Sequence, residues 1–147
     1  LPMKNLINRD PLAVEQYMPS IQNMFLLALR LWLAWVFINA GLTKLNNWDS
    51  TLFLFEYEYQ VPLISWQFAA YLGTAAEIIL LAFVAIGLRG RPMALALFGF
   101  NAVAVISYPV IWAAGFWDHQ LWGLMMLVII IYGAGRWSVD QLIWHKQ

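Results

Sequence analysis

Four long runs of apolar positions, separated by short polar segments, set the pattern of this chain. They cover about residues 24–42, 66–88, 92–114 and 120–135. Each reaches or approaches the ~20 apolar residues that a helix needs to cross a bilayer. Pro92 suits the first turn of the third run, where its missing N–H is not needed. The "GLRGRP" segment joining the second and third runs is short enough to force an antiparallel helical hairpin. The pattern predicts an all-α fold, an integral membrane four-helix bundle, forming a single membrane domain over residues 1–147.

Two segments outside the runs carry weaker patterns. Residues 1–23 form a polar or interfacial extension without the apolar core and cleavage site of a signal peptide. Within it, residues 12–18 have the composition of a short amphipathic helix bounded by Pro11 and Pro19. Residues 43–65 form an interfacial loop, in which Phe53, Phe55, Tyr57 and Tyr59 alternate as in a strand. An isolated strand in a bilayer interface would leave backbone groups unpaired. A short helix, or a loop packed over the bundle, is the better expectation for residues 51–60.

Charge fixes an expected orientation. Four spans place both termini on one side with the Arg89/Arg91 turn, together with Lys4, Arg9, Arg136 and Lys146. The opposite side has Lys44 among Asp49, Glu56, Glu58 and Asp118. The positive-inside rule then makes both termini cytoplasmic and the protein multi-pass. Trp48, Trp66, Trp112, Trp117 and Trp122 form an expected outer aromatic belt. A formal net charge of zero gives no reason to expect nucleic acid, so the lipid bilayer is the first partner. With no cysteine, the chain has no disulfide, no thiolate nucleophile and no iron–sulfur ligand.

Polar groups inside the runs are the candidate chemistry. In "GTAAEIILLAFVAIG", residues 73–87, thirteen of fifteen residues are small or apolar, and the exceptions are Thr74 and Glu77. Arg30 lies in the first run and Asn101 in the third. At ~1.5 Å of rise per residue, all three fall at depths that a long arginine side chain can bridge. A charge at mid-helix costs about 2.5–3.5 kcal/mol on insertion scales, so Arg30 and Glu77 gain from pairing. The expectation is one buried Arg30–Glu77–Asn101 layer, serving either as a proton or quinone-head site or as a structural pair that fixes helix register. On the first helix Arg30, Ala34, Phe37, Gly41 and Lys44 share a face, with Asn39 opposite. On the second, Ala70, Gly73, Glu77, Leu80 and Val84 do, with Gly73 allowing close approach beside the carboxylate. On the third, Asn101, Val105, Tyr108 and Trp112 align, and Pro109 frees the Val105 carbonyl. Lys44, Tyr108 and His119 are secondary site candidates; the ordinary role for Tyr108 and His119 is at the interface.

Two histidines, His119 and His145, fall on opposite sides of the predicted bundle, so no bis-histidine haem site is expected. No metal-ligand spacing, phosphate-binding glycine loop or nucleophile elbow occurs. No covalently bound cofactor is expected.

Five features follow one another along the chain: "LRLWLAW" with Arg30, "GLTKL" with Gly41 and Lys44, the second-span Glu77, "IGLRGRPMALAL" with Gly87, Arg89 and Ala94, and "GAGRWSVD" with Gly133, Gly135, Ser138 and Asp140. In this order they resemble the DoxX family of small bacterial membrane proteins. The polar amino-terminal extension and Asp118-His119-Gln120 depart from that pattern. The resemblance implies a four-helix protein of the bacterial cytoplasmic (inner) membrane, related to the small subunit of a thiosulfate:quinone oxidoreductase. It implies a subunit or anchor of a redox-associated membrane complex, with quinone as a candidate ligand and redox proteins or further copies of the chain as partners. Such a chain is not catalytic alone; if enzymatic, it is an accessory oxidoreductase subunit. The alternatives are a structural assembly factor and an oligomeric small-molecule or ion permease.

Overall fold

The structure, a computed structural model, describes residues 15–144. Those residues form helices and connecting turns, with no strand among them. Helix α1 spans Met18–Asn46, with Pro19 in its first turn. Helix α2 spans Trp48–Tyr57, α3 Trp66–Ile86 and α4 Gly90–Ser107. The short α5 (Ile111–Ala114) leads into α6 (Phe116–Tyr132), and α7 covers Val139–Trp144. Helices α1, α3 and α4 are long and apolar enough to cross a membrane, while α6 is apolar but shorter at 17 residues.

Local chemistry sets the ends. The Ser65 hydroxyl accepts the Phe68 N–H and caps α3. Gly87, at φ 71°, stops α3 in a left-handed turn. The Gly87 and Leu88 N–H groups return to Val84 and Phe83 carbonyls in a Schellman pattern. The N-terminus of α4 receives a distant cap: the Asp140 carboxylate accepts the Arg89 and Gly90 N–H groups at 2.6 and 2.8 Å.

The observed bounds correct the expected spans. Helix α1 begins at Met18, before residue 24, and runs past residue 42 to Asn46. The third apolar run is not one helix to residue 114: α4 ends at Ser107, because Pro109 has no N–H to continue it and disfavours helical backbone at Tyr108. The Val105 carbonyl is indeed free of the ladder, and the Trp112 indole N–H donates to it at 2.8 Å. The fourth helix starts at Phe116, so Asp118 and His119 lie within it, and Gly133, at φ 83°, ends it. Residues 51–57 are helical, as preferred over a strand. Of the amphipathic helix expected at 12–18, residues 12–14 lie outside the described residues, as do Lys4, Arg9, His145 and Lys146.

Four helices share one core. Leu33, Ala34 and Phe37 of α1 meet Leu81 and Val84 of α3, Ala94 and Leu97 of α4, and Met126 and Ile129 of α6. A second cluster packs Phe55 of α2 on Ala69 and Ala70 of α3. Contacts pair Arg30 with Ala85 and Lys44 with Glu77, so α1 and α3 are antiparallel. The faces turned away from the core stay apolar, with Leu31, Trp32, Trp35, Leu72, Ile79 and Ile131 exposed. Only a third of the apolar window of α1 is buried within the chain. Apolar surface on that scale belongs against lipid, and the chain is a membrane protein.

Candidate functional site

Two ends of the helical core are distinguished by their connections. The turn end carries residues 87–89 and the segment after α6; the loop end carries residues 47–65. At the loop end Lys44 Nζ donates to both Glu77 carboxylate oxygens, at 2.8 and 2.7 Å. The pair is largely out of solvent, with side-chain exposures of 19% and 9%. Side chains on a helix lean toward its N-terminus. Because α1 and α3 run in opposite directions, Lys44 and Glu77 lean toward each other. Gly41, one turn below Lys44, makes room for this approach: a Cβ there would lie 2.9 Å from Ile78 Cγ1 and 3.6 Å from Glu77 Cβ. Gly73 does something else, facing the Phe55 ring of α2, where a Cβ would be in ordinary contact at 3.4 Å.

Beside the ion pair lies a cavity of about 210 Å³. Lys44 and Glu77 supply its charges, and Phe55, Tyr59, Phe100 and Ala104 are among its apolar or aromatic walls. Ser107 also lines it; its hydroxyl is fully buried and has no hydrogen-bond partner among the described residues. A stack of rings covers this region: Phe55 on Tyr59 at 4.5 Å, and Tyr59 on Tyr108 at 4.6 Å between centroids. The cover is tied to the end of α4 by two bonds. Tyr108 Oη donates to Glu58 at 2.8 Å, and the Gln60 N–H donates to the Ser107 carbonyl at 2.7 Å. Burial, then the nearby Glu77 carboxylate, pushes the Tyr59 phenol up to about 12. Tyr59 therefore keeps its O–H at any physiological pH. The Tyr108 phenol is also raised, first because its hydrogen bond to Glu58 requires the protonated form.

Arg30, Glu77 and Asn101 do not form one layer. Arg30 is 1% exposed, and its guanidinium donates to the Ala85 carbonyl at 3.3 Å and to the Trp137 carbonyl at 2.5 Å. Ala85 stands eight residues beyond Glu77, roughly 12 Å along α3. Arg30 also leans toward the N-terminus of α1, away from Glu77. It instead ties one of the carbonyls that α3 leaves unpaired at its C-terminus to the segment following α6. Asn101 pairs with His119: its Nδ2 donates to the His119 carbonyl at 3.0 Å, and its Oδ1 faces His119 Nδ1 at 2.7 Å. With Oδ1 an acceptor only, Nδ1 carries the proton in this arrangement. The His119 ring meets Trp122 edge-on at 4.8 Å, and Trp122 meets Phe37 at 5.1 Å. His119 thus faces α4 from within α6, and Trp122 packs against the core.

The sequence reading missed Tyr59, Ser107 and Glu58. The i,i+4 spacing of Phe55 and Tyr59 was a usable signal for the first; Ser107 had none. Among the described residues no group of three or more His, Cys, Asp or Glu is placed to hold a metal ion.

The family model described as DoxX matches residues 25–110, which run from within α1 past the end of α4 and contain Arg30, Lys44, Glu77 and Asn101. No curated protein and no solved structure matches the chain.

Proposed function

The chain belongs to the DoxX family, and from that premise we propose that it is the membrane subunit of a redox-associated complex whose loop-end cavity receives a quinone-type head group. The observation that carries this reading is the Lys44–Glu77 pair at the wall of a mostly apolar cavity. A cavity of roughly 150 Å³ is enough to admit a benzene ring, so about 210 Å³ accommodates one substituted ring. The Ser107 hydroxyl and the Lys44 ammonium offer hydrogen bonds to ring carbonyls, and Phe55, Tyr59 and Phe100 offer faces for stacking. Glu77 is the group suited to hold a proton there, and Lys44 is its hydrogen-bonded partner. A quinone would serve as the electron acceptor or donor, exchanging electrons with a partner subunit.

In this reading all four long helices cross a bacterial cytoplasmic membrane. Both termini and the arginine-bearing turn face the cytoplasm, which the positions of Arg89, Arg91 and Arg136 support. The cavity then opens toward the outer leaflet. Extraction in native-lipid discs, followed by counting quinone per folded chain, tests the proposal. Wild type should retain quinone and Glu77→Gln should lose most of it. Equal quinone content in the two, or none in wild type, removes the reading.

A structural anchor is the second reading, and the close approach of Gly41 to Ile78 favours it, because the ion pair there clamps α1 to α3. It predicts that Glu77→Gln lowers the folded fraction while partner activity per folded molecule stays at the wild-type level.

A further inference from the structure

A groove of about 1010 Å³ runs along the turn end, remote from the loop-end cavity, between the starts of α1 and α4, the end of α6, and α7. Its charged lining is Arg89, Arg91, Arg136 and Asp140, a net of two positive charges. The lone carboxylate is already engaged, since both Asp140 oxygens accept backbone N–H groups at the start of α4. The three arginines are exposed, and only Arg91 has a side-chain hydrogen bond among the described residues, to the Ile131 carbonyl at 3.3 Å. The same groove is flanked by Phe25 and Tyr132, exposed at 54% and 69%. In a membrane protein such rings lie against acyl chains, while arginines at the helix ends sit at headgroup level.

We propose that this groove binds an anionic phospholipid, with Arg89, Arg91 and Arg136 around its phosphate and Phe25 and Tyr132 against its acyl chains. Guanidinium groups suit phosphate oxygens because they offer several N–H donors in a fixed plane. The combination of basic and apolar walls selects a lipid over a soluble anion. A zwitterionic lipid offers the same phosphate with an ammonium beside it, which three arginines repel.

Native mass spectrometry of the purified full-length chain tests this with two added lipids of equal chain length, phosphatidylglycerol and phosphatidylcholine. Wild type should bind phosphatidylglycerol in preference. Each arginine removed should weaken that binding about fivefold, which converts to ~1 kcal/mol. R136Q and R91Q/R136Q form the series; if the double variant does not fold, R136Q alone carries the comparison, with its melting temperature as the check on folding. Millimolar inorganic phosphate should leave the bound phosphatidylglycerol in place. Equal affinity for the two lipids, unchanged phosphatidylglycerol affinity in folded R136Q, or displacement by inorganic phosphate would each overturn the proposal.

Discussion

Helices α1 and α3 hold a cation at each end of their contact, Arg30 buried and Lys44 half-buried, and the two cations have different neighbours. At the turn end, Arg30 meets neutral carbonyls of Ala85 and Trp137. At the loop end, Lys44 meets the Glu77 carboxylate beside a cavity. Carbonyls do not titrate, and Arg30 does not give up its proton, so the first arrangement has one charge state and holds the chain together. The second contains a group that can exchange a proton and a space in which another molecule can meet it. Buried charge alone is therefore a weak pointer to a site in this fold; the proposed binding role rests on a titratable partner next to usable space.

Each end of the α1–α3 contact can be perturbed separately. The largest effect is expected from Lys44→Met, which leaves the Glu77 carboxylate buried without its partner. Removing one member of a buried pair costs about 3–5 kcal/mol, and the double variant Lys44→Met/Glu77→Gln should recover most of that loss. Thermal melts in lipid discs would show it; a single variant as stable as wild type would mean that the pair contributes nothing. Gly87→Ala should come next. Its φ of 71° disfavours a side chain by about 1–2 kcal/mol, and the added Cβ would run into the Arg30 guanidinium and Ser138. Gly73→Ala, meeting only ordinary contact with Phe55, should be close to neutral, and the difference between the two reflects how tightly the turn end is packed.

The loop end can also be read by titration. The Tyr59 phenol is raised from 10.0 to about 12, so between those values the unfolded chain has lost its proton while the folded chain keeps it. Stability must then fall as pH rises through that window, and it is fully present below it. Tyr59→Phe should flatten this slope, and the phenolate absorbance of the wild type should include one group appearing only near pH 12.

Much of the architecture was legible in the chain because apolar runs of that length have few alternatives to a membrane helix. The face of α1 that carries Arg30, Ala34, Phe37 and Gly41 is the buried one, as helical spacing indicates. Partner choice was less legible. Depth counting brings Arg30 level with Glu77 only if side chains project straight outward. Their lean toward the helix N-terminus sends Arg30 to the turn end and brings Lys44 to Glu77. Lys44 shares the Arg30 face of α1, and its reach back along that helix is what brings it to Glu77. The Asp140 cap spans 51 residues to Arg89, and Ser107 enters the cavity wall through the packing of α4 beside residues 58–61; nothing local in the sequence announces either contact.

Whether the space beside Lys44 and Glu77 binds a ligand is isolated by Ala104→Phe. Ala104 lines the cavity, and a phenyl ring there would occupy it without removing either charge. Titration of a short-chain quinone into wild type and Ala104→Phe, each in discs of quinone-free lipid, is the direct measurement. Saturable binding by wild type, lost in an Ala104→Phe protein that melts no lower, is the result predicted. Equal binding by the folded variant would mean that quinone does not occupy this cavity.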